Sequence, residues 1–157
     1  MARIVSTLWL ATCGLAVCGK WSAADSQEPS GEWLAELLGK WVVRACRQDG
    51  RVFPPLQGAR LQVHEKDLIV MLPNELIKAH LVAEMVDGQR TLRCTYVLGP
   101  EKGHTRVGLY AFHRELLYIC LGPPDGPQPE DLTCRRGSHR LLMVLQRENP
   151  HEWDLAR

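Results

Sequence analysis

From Gly39 onward the chain keeps returning to short runs rich in Val, Leu, Ile and Tyr, separated by turn residues. Eight such runs fall at about 40–47, 59–65, 67–72, 77–86, 91–98, 105–112, 115–121 and 139–147. Runs of this length and regular spacing specify strands joined in sequence, and so an all-β sandwich or barrel. Asp49-Gly50 and Asp87-Gly88 are turn dipeptides, the second placed as a tight hairpin needs.

Alternation assigns faces. Trp41, Val43 and Ala45 point one way in the first run and Arg44 the other. In the last two runs Leu117, Ile119 and Leu121 alternate with Leu116, Tyr118 and Cys120, and Leu141, Met143 and Leu145 with Leu142, Val144 and Gln146. Both faces there are apolar. One face fills an interior; the other requires a cover, a partner surface or a lipid ligand.

One helix is expected, in "GEWLAELLG", where Trp33, Leu34, Leu37 and Leu38 recur at helical spacing. Gly39 stands where a helix C-terminus favours positive φ. "PNELIKAHLVAEM", Pro73 to Met85, has helix-forming Glu and Ala but reads better as a loop leading into a strand. The Pro-rich segment Gly122 to His139 cannot carry a regular ladder through its first half and is expected as a lid or an ordered cap.

Ahead of the strands, residues 1–24 read as an export signal. Arg3 supplies the positive region, Ile4 to Val17 the apolar region, and Ser22-Ala23-Ala24 a peptidase site. The apolar run is too short to span a bilayer. A competing reading takes "LAVCG" as a lipobox with Cys18 lipidated, against which Val17 is a poor residue before the cut. Residues 25–31 then form a polar leader, 32–149 one domain and 150–157 a tail, with localisation periplasmic, secreted or envelope-anchored.

The chain has 19 basic and 18 acidic residues, and loss of the leader removes Arg3 and Lys20 and no acid. Near-neutral charge without a basic block excludes a nucleic-acid surface and leaves a membrane reachable only through a lipid anchor. Cys46, Cys94, Cys120 and Cys134 remain after processing. Cys120 and Cys134 flank the Pro-rich loop and are the first pair to consider for a disulfide in an oxidising compartment; the alternative is that the cysteines are small buried hydrophobes.

The sequence carries no H-E-x-x-H, G-x-S-x-G, C-x-x-C, P-loop or G-x-G-x-x-G. His64, His80, His104, His113, His139 and His151 are scattered singly, and the carboxylates gather at strand ends and loops. No enzyme, metal site or cofactor is expected.

Gly39-Lys40-Trp41 is similar to the G-x-W that opens the first strand of lipocalin-like barrels, and Arg147 in "VLQRE" occupies the place of the Arg that packs on the Trp in them. The ordered set "LLGKWVVRACRQDG", "LQGARLQVHEKDLIV", "GPEKGHTRVGLYAF", "LLYICLGPPDGPQPEDL" and "SHRLLMVLQRE", about Leu37 to Glu148, resembles a lipocalin-like (calycin-type) domain family of unknown function, abundant in exported proteins of planctomycete bacteria. The chain departs from that family's pattern at Phe112-His113-Arg114-Glu115 and at Gln128-Pro129. The resemblance implies an antiparallel eight-stranded up-and-down barrel with a short N-terminal helix, in which Gly39, Trp41 and Arg147 are structural.

Such a barrel is either filled by side chains or holds one small ligand. The first expectation is a module binding a small apolar ligand, with Ala45, Ala83, Gly108 and Ala111 as small inward residues leaving room and the Pro-rich loop as partial lid. The alternative is a filled barrel that interacts with an envelope protein through its outward apolar face.

Overall fold

The computed structural model describes residues 30–149. The expected signal peptide, the Cys18 lipidation site and the tail lie outside the described residues.

The strand pattern folds as one closed sheet. Helix α1 (Ser30–Leu37) is followed by β1 (Gly39–Gln48), β2 (Arg51–Val52), β3 (Arg60–His64), β4 (Asp67–Met71), β5 (Leu76–Val86), β6 (Gln89–Leu98), β7 (Thr105–His113), β8 (Leu116–Leu121) and β9 (Leu141–Arg147). Neighbours along the chain pair antiparallel from β3 to β9, and β1 pairs with both β3 and β9 to close the ring. The result is an eight-stranded up-and-down barrel of lipocalin-like form. The two-residue β2 is an extra strand, folded back on the end of β1. Pro73 to Met85 is a loop entering a strand, as expected.

Local chemistry sets the turns. Asp49 and Gly50, like Asp87 and Gly88, all have positive φ, the backbone that a two-residue hairpin matching the strand twist requires. Closure is adjusted by a bulge. Val43 pairs with Leu145 and Ala45 with Val144, so Arg44 is the extra residue and the alternation slips by one. Cys46 therefore turns into the core while Ala45 is exposed, which corrects the inward placement of Ala45.

The core runs the length of the barrel, with Trp41, Leu37, Leu81, Leu92, Leu117 and Leu145 almost fully buried. Gly108 leaves no free volume. A Cβ there would lie 2.2 Å from the Cys120 carbonyl oxygen and 2.7 Å from Leu121 Cδ2. Ala83 is buried within the packed core, and Ala111 is only half-buried. Of the small residues expected to open space, Gly108 marks a close approach of backbones instead.

The outward face of β8 acquires its own cover. Cys120 is fully buried although its neighbours Leu117, Ile119 and Leu121 are the ones in the core, because the loop after β8 folds over it and the Cys120 thiol donates to the Thr133 carbonyl, 3.6 Å.

Candidate functional site

The two ends of the barrel differ in kind. At the base, α1 closes the interior and two side chains hold its end there through three hydrogen bonds. The Trp41 indole N–H donates to the Leu37 carbonyl, 2.9 Å. Arg147 donates from Nη1 to the Leu38 carbonyl, 2.9 Å, and from Nη2 to the Glu36 carbonyl, 3.2 Å. These are carbonyls that a helix end leaves without intrahelical partners. Gly39 combines φ +124° with a position where a Cβ would meet Arg147 Nη1 at 2.8 Å. Glycine is needed there for the turn and for the room the guanidinium occupies.

The sequence reading missed Arg90. Its guanidinium lies 5.6 Å from the Trp33 ring centroid and 5.9 Å from that of Phe112, and Nη2 bonds Glu36 at 3.1 Å. Nothing in a lone Arg two residues after a hairpin glycine signals that position. A groove of about 1000 Å³ outside this base runs past Trp41 and Phe112, but it is bounded by the exposed Lys40, Arg114, Glu115 and Asn149 and is a surface depression.

At the opposite end the interior is incompletely filled. A cavity of about 260 Å³ lies between the walls of β3, β4, β5, β8 and β9, with Leu61, Leu68, Val70, Ile77, Leu121 and Met143 among its apolar lining. Phe53 and Leu56, around a short 3₁₀ turn at Pro54–Leu56, stand at its rim together with Leu72, Glu75 and Pro100. Among the described residues none of 122–140 lines it. The Pro-rich loop therefore lies along the outer wall and does not act as the expected lid.

Polar chemistry enters the cavity from β6, β7 and the turn between them. Alternation turns Tyr96 and Arg106 inward, with Arg106 opposite Cys94 in the ladder. Gly99 and Gly103, both at positive φ, bend the connecting turn so that Glu101 faces Arg106. Arg106 Nε donates to Glu101 Oε2 at 2.7 Å and Nη2 to Oε1 at 2.5 Å, a two-pronged pair, while Nη1 donates to the Gly122 carbonyl at 2.8 Å.

Only 4% of Arg106 is exposed, which makes its charge costly without a partner. Burial works against that charge, but the hydrogen bonds and the negative charge of Glu101 outweigh it and hold the guanidinium above its ordinary range. Burial pushes the Tyr96 phenol up, reinforced by Cys94 and Glu101, and pushes the Cys94 thiol up to about 12. Tyr96 thus stays a protonated hydrogen-bond donor at neutral pH.

The other expected site residues fall elsewhere. Cys46, Cys94, Cys120 and Cys134 are free thiols. In Cys120 and Cys134, the pair first considered for a disulfide, the Cys134 thiol donates to the Arg140 carbonyl at 3.2 Å and that of Cys120 to the Thr133 carbonyl at 3.6 Å. His80 pairs with Asp67 and His104 with Asp125 on the surface, and among the described residues no group of three His, Cys, Asp or Glu is placed to hold a metal. Among the described residues no helix is long and apolar enough to cross a membrane.

Fold and cavity together define a small up-and-down β-barrel, closed by a helix at one end and carrying an apolar chamber with one buried ion pair at the other. No family model, no curated protein and no solved structure matches this chain.

Proposed function

We propose that this chain is an exported lipocalin-like binding protein that holds a small apolar molecule in the mouth of its barrel. The observation that carries the reading is the cavity of about 260 Å³, walled by side chains from all eight strands of the barrel. That volume lies just below the range of about 300–1,000 Å³ of drug-sized pockets and above the roughly 150 Å³ that admits benzene, so the occupant is small. Export rests on the leader pattern at Arg3, Ile4 to Val17 and Ser22 to Ala24, and membership of the exported lipocalin-like family rests on the ordered stretches from Leu37 to Glu148.

Binding is favoured over catalysis by what the titratable groups at the cavity do. Arg106 and Glu101 are tied to one another, and an ion pair satisfied in this way is a wall of the chamber more than a reacting group. Binding is also favoured over a filled interaction module, because the side chains of the upper barrel leave open volume where a packed interior would leave almost none.

Native mass spectrometry of the protein purified from its own cell envelope tests the reading. A retained small apolar molecule supports it. Repeated recovery of empty protein, together with failure to take up benzene or a fluorescent apolar dye, refutes it.

A further inference from the structure

The chemistry of the chamber narrows the class of ligand. Its charged groups are Arg106, Glu101 and Glu75, so one cation faces two carboxylates. The cation is already bonded through all three guanidinium nitrogens, to both Glu101 oxygens and to the Gly122 carbonyl. A ligand carboxylate entering here would have to displace Glu101 from a buried partner and sit beside its charge. By contrast, Tyr96 lines the same cavity, is 9% exposed, and its hydroxyl makes no hydrogen bond among the described residues. The hydroxyl is not among the fully buried unpartnered atoms, so water reaches it in the open cavity; an apolar ligand that displaces that water removes the hydrogen bond, and a ligand acceptor restores it.

We propose that the cavity selects neutral apolar molecules carrying an oxygen acceptor, such as a ketone or an alcohol, which takes the Tyr96 hydroxyl hydrogen bond, and rejects carboxylates because Glu101 already occupies Arg106. The proposal rests on the binding reading above and specifies its ligand. Glu101 and Arg106 act as a selectivity device, and Tyr96 as the contact that orients the occupant.

The experiment uses the mature protein and three probes at neutral pH, benzene, 2-octanone and octanoate, with affinities from calorimetry or ligand-observed NMR. Binding of 2-octanone at least about tenfold tighter than octanoate is expected. Tyr96→Phe should weaken 2-octanone by about tenfold and leave benzene unchanged, the size of one lost hydrogen bond. Glu101→Gln should strengthen octanoate by freeing Arg106.

Octanoate binding as tightly as 2-octanone in the unaltered protein, or Tyr96→Phe without effect on 2-octanone, overturns the proposed ligand class while the chamber remains a binding site. Unchanged octanoate affinity in Glu101→Gln overturns the role given to the ion pair. Failure of all three probes to bind overturns the binding reading itself. The comparison of probes on the unaltered protein decides the ligand class even if a variant does not fold.

Discussion

The Arg147 guanidinium lies 4.4 Å from the centroid of the Trp41 ring while donating to two carbonyls at the end of α1. One residue from the last strand thus fixes the helix to the first strand and covers the barrel floor. Trp41, 2% exposed, also has its ring centroid 6.2 Å from that of Phe112. Trp41→Ala should lower stability by about 3–5 kcal/mol, the range for a buried aromatic truncation. Arg147→Ala should cost about 2 kcal/mol from two charge-assisted hydrogen bonds at a partly exposed site. Denaturant unfolding measures both, and the double variant should fall short of their sum because the two residues touch.

Removing one member of the mouth ion pair should be worse than removing both. Glu101→Ala leaves the buried Arg106 charge with only the Gly122 carbonyl. A loss of roughly 3 kcal/mol is expected, at the low end for broken buried pairs because Glu101 keeps part of its surface in water. The double replacement Glu101→Gln with Arg106→Met should recover stability relative to Glu101→Ala, read as denaturation midpoints.

Gly108→Ala should be far more costly than its single added methyl suggests. The Cβ would sit 2.2 Å from the Cys120 carbonyl, a backbone atom that cannot move without opening the β7–β8 ladder. A loss of about 3 kcal/mol is expected from overpacking of this kind. Gly58→Ala, where a Cβ meets nothing within 4 Å but φ is +80°, isolates the smaller cost of backbone strain.

Thiol reactivity should separate the cysteines. Burial raises Cys46 and Cys94 to about 12 and Cys120 to about 11, so each is a protonated, shielded thiol at neutral pH. Cys134 is only half-buried. Timed alkylation followed by peptide mapping should label Cys134 in the native protein and the other three only on unfolding. Native labelling of Cys94 at a comparable rate would contradict its place in the barrel.

Acid should destabilise the fold through four surface aspartates. Asp49 is held below its ordinary 3.8 mainly by the His139 backbone N–H, Asp67 by Lys78, Asp125 by His104 and Asp131 by Thr133. Each is depressed in the fold, so its contribution is complete above about pH 4 and is lost as pH falls through the lower folded value. The melting temperature followed from about pH 6 to about pH 2 should fall in that lower window, and Asp67→Asn or Asp125→Asn should flatten the fall.

The strands were legible because each depends on a local pattern. Period-two alternation in 117–121 and 141–145 fixes which residues face inward, and Asp87-Gly88 fixes its hairpin through backbone geometry alone. Gly39, as the end of a helix next to an inward Trp, is equally local. Ala45 and Gly108 were misread because a bulge and a close backbone contact depend on the partner strand. Arg44 becomes an extra residue only when β1 meets β9, and Gly108 is tight only against Cys120.

The candidate site belongs wholly to the second kind. Tyr96, Glu101 and Arg106 carry no motif, and five residues separate Glu101 from Arg106 across a turn whose bend decides whether they meet. By itself the sequence determined eight strands, their hairpin turns and a short helix ending before Gly39, since those follow from periodicity and turn chemistry along the chain, while the barrel and its Trp41 floor were implied by the resemblance to lipocalin-like barrels. Only the tertiary structure decided that the mouth stays open, that the Pro-rich loop covers the outer wall instead, and that a buried charge is neutralised inside the chamber. Cavity volume is a difference between the space eight strands enclose and the side chains that fill it, and that difference exists only after closure.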